Sequence, residues 1–237
     1  MALGEFPEEL SDRQPPPAPP TTPPGSTATT VAPGRGPIVG PIADAVFGNR
    51  VLLIGDTVLA STAPRNDGLM CDVLVDFGWV AEIDAEPGRF IEFAQQVLDE
   101  RLDPGDGEQW DAAALLLGNH FDGDLEAYTR QLEAVLGQLA PRPTIVYTLS
   151  ELSDDAVAIN EIIRALPRAH PNVVVVDWAA ATEVDTDLLL KDGGPALTDE
   201  GSRRLVLFTA AALGKPLSGD AGECLPSPFT DDTAIVL

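Results

Sequence analysis

The chain has 237 residues, 44% of them apolar, which is enough for one sizeable core. Its 38 acidic against 14 basic residues give a formal net charge of −24, and that argues against nucleic-acid binding, which needs clustered Lys and Arg. No run approaches the roughly 20 apolar residues that span a bilayer, so no membrane span is expected.

Met1–Gln14 has no basic region followed by an apolar one, so no signal peptide is visible, and the start by itself fits a cytoplasmic protein. Residues 14–36 are rich in Pro, Thr, Ser and Gly and open with Gln14-Pro15-Pro16-Pro17. Such a stretch cannot bury enough apolar surface to fold, so 1–40 is expected as a disordered segment or extended linker. Spacers of this composition often join a membrane anchor to an extracytoplasmic domain. A single domain is expected over 41–214, and a surface tail over 215–237.

From residue 50 onward apolar runs alternate with helical periodicity. Val51-Leu52-Leu53-Ile54 followed by Gly55-Asp56-Thr57 predicts a strand buried on both faces and then a sharp turn. Further strands are predicted at Trp79–Asp84, Ala112–Leu117, Thr144–Thr148 and Val173–Asp177. Helices are predicted over part of Val58–Phe77 and over Arg89–Arg101, Leu125–Leu139, Asp155–Leu166 and Asp199 to Leu213. Thr198-Asp199-Glu200 offers a capping residue and early acidic residues for the last of these. Strands separated by helices imply right-handed crossovers. The expected fold class is therefore α/β, a three-layer α/β/α sandwich with about five parallel strands.

Four loops of unusual composition converge on one rim of that sheet. Gly55-Asp56-Thr57, with Ser61 a turn further on, follows the first strand. Asp84-Ala85-Glu86-Pro87-Gly88-Arg89 closes the second, and Gly118-Asn119-His120-Phe121-Asp122-Gly123-Asp124 follows the third. Asp192-Gly193-Gly194-Pro195-Ala196-Leu197-Thr198 precedes the last helix. The carboxyl edge of an open α/β sheet is where ligands bind.

This spacing, over residues 50–213, resembles the SGNH (GDSL-type) hydrolase family, whose fold is flavodoxin-like. It looks most like the extracytoplasmic SGNH domains attached to membrane acyltransferases that modify cell-surface polysaccharides. Gly78-Trp79, Gly88-Arg89, the Gly-Asn-x-Phe-x-Gly-Asp run, Asp177-Trp178 and Asp-Gly…Leu-Thr-x-x-Gly support the resemblance. The resemblance implies a Ser nucleophile, an oxyanion hole of Gly and Asn, and an Asp-x-x-His pair. Here the nucleophile falls on Thr57 and the oxyanion Gly on Gly88. The Asn falls on His120, with Asn119 one place early. The orienting Asp falls on Asp192, and the catalytic His on Pro195 or Ala196.

Neither Pro195 nor Ala196 can take a proton, and a hydroxyl needs a base within reach. The resemblance therefore implies a catalytically impaired domain that binds an acylated small molecule or glycan. It also implies an extracytoplasmic address and a membrane acyltransferase as partner. The alternative is a weak esterase, deacetylase or acyltransferase using Thr57 with His120, oriented by Asp56 or Asp122. No cofactor is implied, since no Gly-x-Gly-x-x-Gly opens a helix. Asp84, Glu86, Asp122 and Asp124 lack a metal-binding spacing and are expected as solvated surface groups. Ser61 is expected to bond backbone. His170 is expected at the opposite end of the sheet. Trp79 and Trp178 are expected in the core. Cys71 and Cys224 admit two readings, unrelated free thiols or a disulfide pinning the tail to the first helix.

Overall fold

The computed structural model describes residues 37–66, 68–102 and 109–229. The Pro-rich stretch before residue 37 and the last eight residues lie outside the described residues, so the segment expected over 1–40 is described only from 37.

In chain order the main elements are β1 (Arg50–Gly55), α1 (Thr57–Ala60), α2 (Leu69–Phe77), β2 (Val80–Ala85), α3 (Glu92–Arg101), β3 (Ala112–Leu116) and α4 (Leu125–Leu139). They continue with β4 (Thr144–Tyr147), α5 (Asp154–Ala169), β5 (Val173–Val176), α6 (Trp178–Val184), α7 (Thr186–Leu189), α8 (Asp199–Leu213) and β6 (Glu223–Leu225). The strands form one sheet in the order β5-β4-β3-β1-β2-β6, and each neighbouring pair is parallel. The chain steps from β1 to β2 on one side and then crosses back over β1 to β3 on the other. The crevice between the carboxyl ends of β1 and β3 is thus the topological switch point.

Apolar burial explains the strands. Val51, Leu52, Leu53 and Ile54 are wholly inaccessible, and Ala112 to Leu116 nearly so, because both faces of a parallel sheet are covered. Helix starts follow their caps. The side chains of Asp124, Ser153 and Thr198 accept from Ala127, Ala156 and Gly201 at the N-termini of α4, α5 and α8. Trp79 and Trp178 are buried, and the Trp79 indole N–H donates to the Gly214 carbonyl at 2.8 Å.

Three departures from expectation have physical reasons. A sixth strand, β6, occurs where a surface tail was expected. It pairs Glu223, Cys224 and Leu225 with Val80, Ala81 and Glu82. Cys224 is bonded to Cys71 of α2, with the Cα atoms 5.6 Å apart, so the free-thiol reading fails. Second, α3 starts at Glu92 and not at Arg89, because Gly88 (φ 76°) and the residues after it make a turn. Third, α6 and α7 lie between β5 and the Asp192 loop, where no helix is predicted. Asp177, whose side chain accepts from Ala180, starts the first of them. Among the described residues no helix is long and apolar enough to cross a membrane.

Candidate active site

The site begins with Asp56, immediately after β1. It is completely buried, and its carboxylate accepts from the backbone N–H of Val58 (3.3 Å), Gly118 (3.2 Å) and Asn119 (2.9 Å) and from the Asn119 side-chain amide (2.9 Å). Burial pushes its carboxyl above the ordinary range, and these donors pull the other way. One acid thus caps α1 and ties the turn after β1 to the turn after β3. Gly118 (φ 135°) is needed there, because a Cβ would lie 2.9 Å from the Leu149 side chain.

With both turns fixed, Thr57 and His120 meet across the switch point. The Thr57 Oγ1 lies 3.1 Å from His120 Nε2, and the Gly88 N–H donates to the same oxygen at 3.3 Å. Thr57 is half-buried and occupies the first position of α1, where a backbone N–H has no intrahelical acceptor. The Gly88 N–H is thus a donor beside that hydroxyl, and the Thr57 N–H has no acceptor within the helix. The His120 ring packs edge-on against Phe90, centroids 6.3 Å apart.

Other expected participants stand elsewhere. Asp56 and Asp122 were the expected orienters of His120, and neither bonds it. The Asp56 oxygens are occupied as above, and Asp122 Oδ1 accepts from the Asp124 N–H at 3.0 Å. Among the described residues His120 has no second hydrogen-bond partner. Asn119, expected in the oxyanion pocket, turns its amide inward to Asp56. Asp192 is exposed at φ 51° and makes no side-chain hydrogen bond among the described residues. Its loop is a small hairpin closed by the Leu190–Leu197 bridge and by Lys191 N–H donating to Ala196 O at 2.8 Å.

The remaining groups separate clearly. Ser61 Oγ donates to the Thr57 carbonyl at 2.9 Å, one turn back. His170, just before β5, pairs with Glu133 at 2.7 Å. Asp122 and Asp124 are exposed, but Asp84 is completely buried and Glu86 forms an ion pair with Arg65 at 2.7 Å, so the expectation of four solvated acids fails for two. Sequence reasoning missed the role of Asp56 as a brace. Its position between a buried run and a helix start was the available signal.

Beside Gly88 lies an open groove of about 550 Å³, lined by Arg89, Phe90, Phe93, Gln96 and Asp122 among others. The Arg89 guanidinium stands 5.1 Å from the centre of the Phe93 ring.

No sequence-family profile matches the chain, and no curated protein matches it. Solved structures do. A lipolytic protein of the G-D-S-L family from Veillonella parvula superposes with TM-score 0.56 at 15% identity, over 69% of this chain and 96% of that one. One from Desulfitobacterium hafniense gives 0.57 at 14% identity, over 70% and 100%. The C-terminal catalytic domain of peptidoglycan O-acetyltransferase A from Streptococcus pneumoniae gives 0.53 at 15%, over 70% and 93%. At such identities the likeness establishes architecture: the chain has the fold of the GDSL/SGNH lipolytic proteins.

Proposed function

We propose that this is a catalytically impaired SGNH-type domain that recognises an acyl ester, carried on a small molecule or a glycan, in the groove beside Gly88. The observation that carries the reading is the hydrogen-bonding of the rim. The Thr57 hydroxyl meets a histidine that no carboxylate among the described residues orients, while Asp192 faces solvent. An imidazole without its orienting acid is about 10⁴-fold less effective as a base in the Ser-His-Asp template. The Thr57 methyl group further restricts the rotamers from which its oxygen can attack. The likeness to an O-acetyltransferase domain supports an acylated glycan as ligand, and with it a membrane acyltransferase partner and an extracytoplasmic address.

A second reading, slow ester hydrolysis or acyl transfer, is favoured by the 3.1 Å Thr57–His120 contact. In that chemistry His120 Nε2 takes the Thr57 proton as Oγ1 bonds to the acyl carbon. The carbonyl electrons move onto oxygen, which the N–H groups of Gly88 and Thr57 face. Collapse breaks the ester C–O bond, and the imidazolium returns its proton to the leaving alcohol. Water or an acceptor hydroxyl then repeats the sequence on the acyl-threonine.

Incubation with p-nitrophenyl acetate and a fluorophosphonate probe separates the two. The impaired reading expects turnover and labelling no higher than in Thr57→Ala. Turnover that vanishes in both Thr57→Ala and His120→Ala overturns it and establishes the dyad.

A further inference from the structure

Outside the site, the least expected polar group is a pair of carboxyls inside the sheet. Glu82 and Asp84 stand two residues apart on β2, hence on one face, and are 2% and 0% exposed. Arg101 of α3 donates to Glu82 Oε1, and the Ser227 hydroxyl donates to Asp84 Oδ1. The two carboxyls are thus buried neighbours on the same face of one strand. Asp84 Oδ2 nevertheless has no partner among the described residues.

Two carboxylates facing one guanidinium leave a negative charge unbalanced. A single proton shared by the pair removes that charge and supplies Asp84 Oδ2 with a donor. From α3 the pair faces Arg101 and Glu100, and from the chain end it faces Ser227. Its register neighbours Leu52 and Ile54 on β1 and Leu225 on β6 carry no charge. Burial pushes both acids up against the pull of the Arg101 guanidinium, Glu82 to about 8 with the Asp84 charge adding to it, and Asp84 to about 6 although the Ser227 hydroxyl also pulls it down.

The cover over this pair on the open edge of β2 is the last described stretch of chain. Residues 223–225 make β6, Ser227 reaches Asp84, and Phe229 lies edge-on against Phe93 with ring centres 6.2 Å apart. The Arg101 guanidinium stands 5.8 Å from the Phe229 ring. An open cleft of about 390 Å³ beside the strap is lined by Glu82, Arg101, Leu225, Pro226, Ser227 and Pro228. The strap thus touches the strand that leads into the Gly88 turn, and it touches Phe93, a wall of the groove. The disulfide holds Cys224 to α2 whatever the rest of the strap does.

We propose that residues 223–229 are a latch on the Gly88 turn and the groove wall, docked while Glu82 and Asp84 share a proton and released on the disulfide tether when both ionise. The sign follows from the raised acids. An acid whose affinity for protons is higher in the docked state favours docking at low pH. Docking is complete below the ordinary carboxyl range and is lost as pH rises through about 6 and about 8. The latch does not depend on whether Thr57 turns over an ester, so its test uses no activity.

Hydrogen–deuterium exchange on the full, oxidised chain reads it directly, each rate being divided by the intrinsic chemical rate at that pH. Protection of the 223–229 peptide is expected to fall about tenfold per pH unit between about pH 6 and 8, while β1 and β3 stay protected. The peptide covering Arg89–Phe93 is expected to lose protection in step. Glu82→Gln removes the acid raised to about 8 and leaves Asp84, and is expected to keep the strap docked with a flat profile above about pH 6. A strap that tracks β1 over the whole range overturns the latch, and so does an unchanged slope in Glu82→Gln. An Arg89–Phe93 peptide that stays protected while the strap opens overturns the link to the groove. Should Glu82→Gln not fold, the wild-type profile still decides.

Discussion

In the turn after β1, Asp56 is completely buried and takes hydrogen bonds from Val58, Gly118 and Asn119; in the loop before α8, Asp192 is exposed and bonds no side-chain partner among the described residues. The first segment joins two central strands and caps a helix, so the fold itself requires it. The second is a short hairpin that closes on its own backbone. A catalytic requirement placed on the first segment is protected by stability. One placed on the second has nothing else to hold it. That difference fits a rim in which the Asp56 turn is held by the fold while the Asp192 hairpin is free to vary.

The comparison breaks most readily at Asp56. Asp56→Ala leaves three buried backbone donors without an acceptor, and urea denaturation is expected to show a loss of about 3–5 kcal/mol. A loss below about 1 kcal/mol would mean that the two turns are held by apolar packing alone. Asn119→Ala removes two of the hydrogen bonds to that acid, and the same measurement is expected to give about 1–3 kcal/mol. If Asn119 served the pocket instead, its removal would leave the unfolding midpoint unchanged. Asp192→Ala sharpens the other side, with an expected change within about 0.5 kcal/mol. The smallest effect is expected from Thr57→Ser combined with Pro195→His. Ester hydrolysis should not recover, because the hairpin holding position 195 is itself altered. Robust turnover of p-nitrophenyl acetate by that double variant would show the loop to be preorganised after all.

How much of this was legible in the sequence depended on which force held each element. The central strands β1 and β3 were visible because parallel strands covered on both faces leave unbroken apolar runs, such as Val51–Ile54 and Ala112–Leu116. β6 left no such trace. Glu223 and Cys224 are exposed, and the strand exists through edge pairing and a disulfide partner 153 residues away. The Thr57–His120 encounter could be anticipated from the two turns that face each other at the switch point. The destination of Asn119 could not, since its choice between Asp56 and the pocket is a matter of side-chain direction. Asp84 misled for a related reason. An acidic residue at a strand end ordinarily faces water, and only the strap that returns from the chain end encloses it.

The placement of β6 also bears on how the molecule is made. Among the described residues the strand beside β2 is the last in chain order. While the polypeptide emerges from a ribosome, β2 therefore presents a row of unpaired amides and carbonyls, the kind of surface on which chains adhere to one another. That flank closes only after β6 has emerged, and a chain cut before residue 223 should be prone to self-association well before it is prone to unfold.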